Sequence, residues 1–393
     1  MRLLADCPRV ALFLCGCVAF LNLYATQGLL HELAETFDVS ARHASWSITV
    51  TILAVAVISP FVGWLTGCYE QYRVITVAAL LLAVPAMLAA TASSFGELLI
   101  WRVLQGLVIP GVFITTVAYI GVRWSGAVVT EMTGLYVAGT VLGGFCGRFV
   151  TGLVTAYSDW RMALVVLGCL TLATGLVIAV LLPRHPWSAG KPLADRQALR
   201  GELLSRPLLG AYSVGFCVLF AQVATFTYVG LHLSQAPFNL GTAGLSSIYA
   251  VFLLALVVVP VASRLGNARS QAELLQVAGC LGIAGSALTL SSSLWMIVLG
   301  LALSATGVFL AQVAANAFIT VHAQQHKAAA VGLYLTCYYL GGSFGASLPG
   351  LLWDPWGWAG CIALIVLLQV LPMLIARASW GNPRSSGAHR QLR

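Results

Sequence analysis

Residues 134–160, GLYVAGTVLGGFCGRFVTGLVTAYSDW, return in outline as residues 332–358, GLYLTCYYLGGSFGASLPGLLWDPWGW. Gly134-Leu135-Tyr136 answers Gly332-Leu333-Tyr334, and Leu142-Gly143-Gly144 answers Leu340-Gly341-Gly342. Gly147, Gly152-Leu153 and Trp160 answer Gly345, Gly350-Leu351 and Trp358, all at an offset of 198 residues in a chain of 393. Upstream, Ser93-Ser94 and Ser292-Ser293 keep the same relation to within one residue. The chain therefore reads as two copies of one unit. Within each copy the residues are mainly apolar, without strict alternation, and glycines recur every fourth position. Gly139, Gly143 and Gly147 fall on one helix face, a stripe that lets a neighbouring helix approach closely. Gly341 and Gly345 keep that stripe. Arg148 is not kept, since Ala346 takes its place.

Composition names the solvent. The chain is 60% hydrophobic and only 8% charged, with a mean hydropathy of +0.92, whereas a soluble domain carries roughly a quarter charged residues. Apolar runs of about 20 residues recur throughout, long enough for a helix to cross a bilayer. Barrel strands would alternate apolar and polar positions, and these runs do not. The fold class is thus an all-α membrane protein. The runs place twelve spans near 10–30, 45–66, 74–93, 98–122, 132–154, 161–182, 208–231, 246–264, 273–291, 294–320, 330–353 and 358–377. The expected organisation is a six-helix bundle over 1–182, a cytoplasmic linker over 183–207, a second bundle over 208–377 and a tail over 378–393. Two parallel six-helix repeats are the plan of a rocking secondary transporter.

The net charge of +8 lies singly in short connections rather than along one basic face, so nucleic acid is not an expected partner. Sixteen of the twenty Lys and Arg fall on one side if the N-terminus is inside. Arg42 and Arg161 fall on the other, and Arg102 and Arg148 lie within spans. Both termini are therefore expected in the cytoplasm. Arg2 and Arg9 precede an apolar stretch too long for a signal peptide, which reads as an uncleaved first span. The ten cysteines form no CxxC pair and no metal-ligand spacing, so no metal and no cofactor is expected.

Several motifs together resemble the major facilitator superfamily, in its twelve-span drug:proton antiporter-like branch and especially its YnfM-type inner-membrane permeases. They are Tyr24-x-x-Gln27, Arg102-x-x-Gln105-Gly106, the span 5 glycines ending in Gly147-Arg148, Asp159-Trp160-Arg161, and Leu333-Tyr334-x-x-x-Tyr338-Tyr339-Leu340-Gly341. The resemblance implies alternating access between two halves, a cavity lined by spans 1, 4, 7 and 10, proton exchange, and participation of Arg102 in proton coupling. One loop departs from the family pattern G-x-x-x-D-R-x-G-R-R. Here Gly63 and Arg73 survive, while Gly67 and Cys68 replace the charge pair. Ser263-Arg264-Leu265-Gly266 through Arg269 keeps more of that pattern. A shifted inward–outward balance is the expectation.

Arg102 and Arg148 carry the largest functional weight, because a charge in hydrocarbon costs several kcal/mol unless it meets a cavity or partner. The competing readings are a snorkel of Arg102 toward Glu97 and a buried structural pair for Arg148. Substrate-cavity candidates are Asn22, Tyr24, Gln27, Gln105, Gln222, Gln312, Asn316 and Tyr338, each of which also has a plain inter-helix hydrogen-bonding reading. A mostly apolar cavity with sparse polar groups suits a small amphipathic molecule. All twelve acids lie at or outside span ends. Glu32 and Glu35 are the coupling candidates, with His31 and His232 behind them. Gly341-Gly342-Ser343-Phe344-Gly345 matches a nucleophile pattern that has meaning only at a strand-to-helix elbow, so packing is expected there and not catalysis. No P-loop occurs. The expected protein is a monomeric exporter of a small organic molecule in exchange for protons. The alternatives are an uptake symporter or uniporter for a polar metabolite, and a non-transporting sensor.

Overall fold

A computed structural model describes residues 2–184, 201–265, 270–323 and 327–380. Every element among them is helical, and a helical segment stands at each of the twelve expected places. These are α1 (Arg2–Leu23), α2 (Trp46–Cys68), α3 (Gln71–Leu81 continued by Ala83–Leu88), α4 (Phe95–Arg123), α5 (Ala127–Tyr157) and α6 (Trp160–Leu181). The second half has α7 (Arg206–Ser234), α8 (Thr242–Ile248, Tyr249–Leu254 and Ala255–Leu265 in series), α9 (Gln271–Leu288), α10 (Leu294–His322), α11 (Lys327–Ser347) and α12 (Gly350–Ser379, bent at Gly357). Nine helical stretches among the described residues are long and apolar enough to cross a membrane, and Cys7–Leu23 is a shorter apolar one. The fold is two pseudo-symmetric six-helix bundles.

Polar punctuation starts the helices. The side chains of Ser94, Asp159 and Ser270 accept the backbone N–H three residues on, from Glu97 (3.2 Å), Met162 (2.7 Å) and Glu273 (3.2 Å). Each satisfies one of the four orphan donors at a helix start. Outward-facing Val57, Phe61, Val77, Ile100, Val180, Val257, Trp295 and Leu367 are exposed. In water such a surface would aggregate; in a bilayer it faces lipid.

The glycine stripes do what their spacing predicts. A Cβ at Gly139, Gly143 or Gly147 would overlap the carbonyl oxygen of Phe13, Cys17 or Leu21 on α1, and one at Gly341 or Gly345 would overlap that of Phe216 or Phe220 on α7. The α1/α5 and α7/α11 pairs thus touch backbone to backbone, once in each half.

Some boundaries differ from expectation. Span 1 was expected to run to residue 30, but α1 stops at Leu23, followed by a 3-10 turn over Ala25–Gly28 and a short helix over Leu30–Phe37. Gly28 there packs against Ser246 and the Arg148 carbonyl, so the chain turns where two helices crowd it. Span 11 ends at Ser347 rather than 353. The linker residues Lys191, Asp195, Arg196 and Arg200 and the tail from 381 lie outside the described residues, as do the side chains of residues 63–68 and 263–269.

Candidate functional site

Toward the end of the bundle away from the chain termini, a cluster of contacts joins the halves. Their centre is Arg148 on α5. Its Nε donates to Gln27 Oε1 (2.6 Å) and its Nη1 to the Gly144 carbonyl (2.6 Å). The guanidinium lies over Tyr24 (4.4 Å), Phe252 (4.8 Å) and Tyr249 (5.1 Å). Gln27 in turn donates through Nε2 to Thr227 Oγ1 on α7 (2.9 Å), and Tyr249 donates to the Phe226 carbonyl (3.0 Å). Groups from α5, α7, α8 and the turn that follows α1 therefore meet around one cation. Local geometry explains the stacking: residues 249–254 of α8 form a 3-10 helix, where positions i and i+3 eclipse. Tyr249 and Phe252 consequently stack with ring planes 5° apart, and cation–π attraction holds the guanidinium against them.

Arg102 on α4 is built differently. Its side chain is fully buried, and all its bonds run to uncharged acceptors. Nη1 donates to the Asn22 carbonyl (3.0 Å) and to Gln105 Oε1, Nη2 to the Leu23 carbonyl (2.9 Å), and Nε to the Ser47 carbonyl (3.1 Å). Asn22 and Leu23 are the last residues of α1, whose carbonyls have no intrahelical partner and form the negative end of the helix dipole. Arg102 caps α1. It does not reach Glu97, whose carboxylate accepts from Ser93 N and Oγ instead (2.8 and 2.9 Å).

The other candidates scatter. Asn22 and Gln105 belong to the Arg102 cradle, Asn22 Nδ2 also reaching Thr171 Oγ1 (2.9 Å). Gln222 and Gln312 are half-buried and Asn316 is exposed. Tyr338 joins an aromatic ladder with Tyr339 and Tyr334, and Tyr339 meets Phe113 of α4 across the halves (5.6 Å). Glu35 pairs with His31 at the surface (3.2 Å), Glu32 lies on the same short helix, and neither carboxylate is buried. His232 stacks on Trp358. Ser343 lies inside α11, where Oγ donates to the Thr49 carbonyl of α2 (3.2 Å), so it is an inter-half contact rather than an elbow nucleophile. Of the altered loop, Glu70 and Arg73 pair at 2.7 Å. A void of about 30 Å³ beside Gln369, between α7, α9, α10 and α12, has room for one water.

The profile of the Major Facilitator Superfamily matches residues 12–346. The chain belongs to that superfamily. It is 30% identical over 371 residues to the inner membrane transport protein YnfM of Escherichia coli (strain K12), covering 93% of this chain and 88% of the relative. It is 28% identical over 369 residues to the MFS-type transporter YybF of Bacillus subtilis (strain 168), covering 93% and 91%. Among solved structures it superposes on a bacterial homologue of the human lysosomal transporter Spinster, in an inward-facing and unoccupied conformation. The TM-score is 0.76 at 14% identity, over 95% of this chain and 98% of the other, which speaks for the fold alone. A superfamily member is a multi-pass membrane transporter and not an enzyme.

Sequence reasoning missed Thr227, Tyr249 and Phe252. No spacing in the sequence ties α8 to Arg148. The signal it held was Arg148 itself, an interior cation without a carboxylate nearby in the chain.

Proposed function

We propose that this protein is a twelve-span secondary transporter of the bacterial inner membrane, with both termini in the cytoplasm, that exports a small amphipathic organic molecule by alternating access with protons moving inward. The carrying observation is the Arg148 centre. One cluster of weak, separable contacts ties α5 and the turn after α1 to α7 and α8 toward the far end, the kind of contact a gate between two bundles needs. The Gly342/Ile52 and Gly152/Ser246 approaches support the same closure. The aromatic cluster of Phe113, Tyr339 and Tyr338 between the halves favours an amphipathic body over a sugar. The protein acts as a monomer in this reading.

Proteoliposomes with an imposed pH gradient test this after a melting-temperature screen has picked compounds that stabilise the protein. Export predicts movement of such a compound against its gradient, abolished when the pH gradient is collapsed. A second reading, uniport without an ion, is favoured by the absence of any buried Asp or Glu among the described residues. It predicts equal flux with and without the gradient.

A further inference from the structure

Two cations sit inside the N-terminal half, and no Asp or Glu among the described residues is buried with them. They are not equivalent. The guanidinium of Arg102 is fully buried and held by four acceptors. Arg148 keeps 4% of its surface open and makes only two hydrogen bonds, through Nε and Nη1. Its Nη2 amino group has no hydrogen-bond partner among the described residues. A guanidinium whose charge is met only by ring faces and neutral oxygens, at low dielectric, attracts an anion strongly.

The walls describe the rest of that anion. Tyr24, Tyr249 and Phe252 surround the guanidinium, and Phe252 leads on to Phe226 (4.3 Å) and Phe309 (6.2 Å). A single cation with one unbonded amino group matches one monovalent head and leaves a phosphate dianion under-neutralised. We propose that Arg148 receives the carboxylate of the transported molecule, so that the substrate class is an amphipathic organic monocarboxylate with an apolar or aromatic body. This deepens, and rests on, the exporter reading above. A carboxylate at Nη2 competes with the rings of Tyr249 and Phe252 for the same charge. Binding therefore loosens the α5–α8 contact and favours opening at the far end.

The test uses matched acid and amide pairs on the purified protein and in proteoliposomes: benzoate with benzamide, indole-3-acetate with indole-3-acetamide, octanoate with octanamide. At least one acid should raise the melting temperature with a tenfold or greater preference over its amide, and should be transported. Arg148→Gln should cut that preference below twofold, and Arg148→Lys should retain part of it. Should Arg148→Gln fail to fold, the acid–amide comparison in the wild-type protein decides alone. Equal responses to acids and amides, or an undiminished acid preference in Arg148→Gln, overturn the proposal. Transport of tetraphenylphosphonium with no response to any acid overturns it too, while leaving the exporter reading intact. If no compound of any charge moves, the exporter reading falls, and this inference falls with it.

Discussion

Eight residues past the N-cap Ser94, α4 carries Arg102; eight past the N-cap Ser293, α10 carries Leu301, and both side chains are fully buried. In the same way Arg148 of α5 corresponds to Ala346 of α11 in the repeat. In the second half, Gly285 and Gly300 bring α9 and α10 together so closely that a Cβ on either would press on the other's carbonyl. The glycine stripes, by contrast, occur in both halves. Backbone packing is thus common to the two copies and charge belongs to one. The proposed gate accordingly draws its charge from the first half and its partners from the residues of α7 and α8 that touch it.

The largest break in the shared part comes from Gly143→Leu. Its side chain would enter the Cys17 carbonyl, which belongs to a helix backbone and cannot turn aside, so about 3 kcal/mol or more is lost. Heated samples on gel filtration should show loss of the monodisperse peak, while Gly134→Ala, with open space around it, keeps it. Arg102→Leu tests the unshared part by making α4 resemble α10. It strands the Asn22 and Leu23 carbonyls and Gln105 in a dry interior, at a cost of about 3 kcal/mol, and the melting temperature should fall. An unchanged melting temperature with lost pH-driven flux would instead mark Arg102 as a coupling residue. Gly152→Val is smaller in stability but larger in conformation. The new side chain meets Ser246 across the halves, and labelling at far-end positions should rise about tenfold. Ser343→Ala should do least. It removes one bond to the Thr49 carbonyl, worth about 1 kcal/mol, and flux should stay within twofold.

The duplication, the helical class and the stripes were legible because each depends on near-neighbour periodicity. Gly139 and Gly143 announce a close helix partner without saying which, and hydropathy alone places α4 or α10. The site was half legible. Arg148, Tyr24 and Gln27 stand out as polar groups in apolar runs, but their partners Thr227, Tyr249 and Phe252 come from the other half of the chain. Phe252 reads as one more lipid-facing ring until the 3-10 turn in α8 is known. Arg102 was legible as an interior cation and illegible as a cap. Its role depends on α1 ending at Leu23, and no proline or charged residue marks that end before His31.

The central claim is that the two halves meet at the far end through separable contacts and part there in each cycle. Ser246, fully buried where α8 meets Gly28 and Gly152, reports on it directly. On a background with the native cysteines replaced, Ser246→Cys should resist a membrane-impermeant maleimide applied from outside at rest. A transported compound should then raise the labelling rate about tenfold. A rate that stays the same with and without that compound would contradict the account.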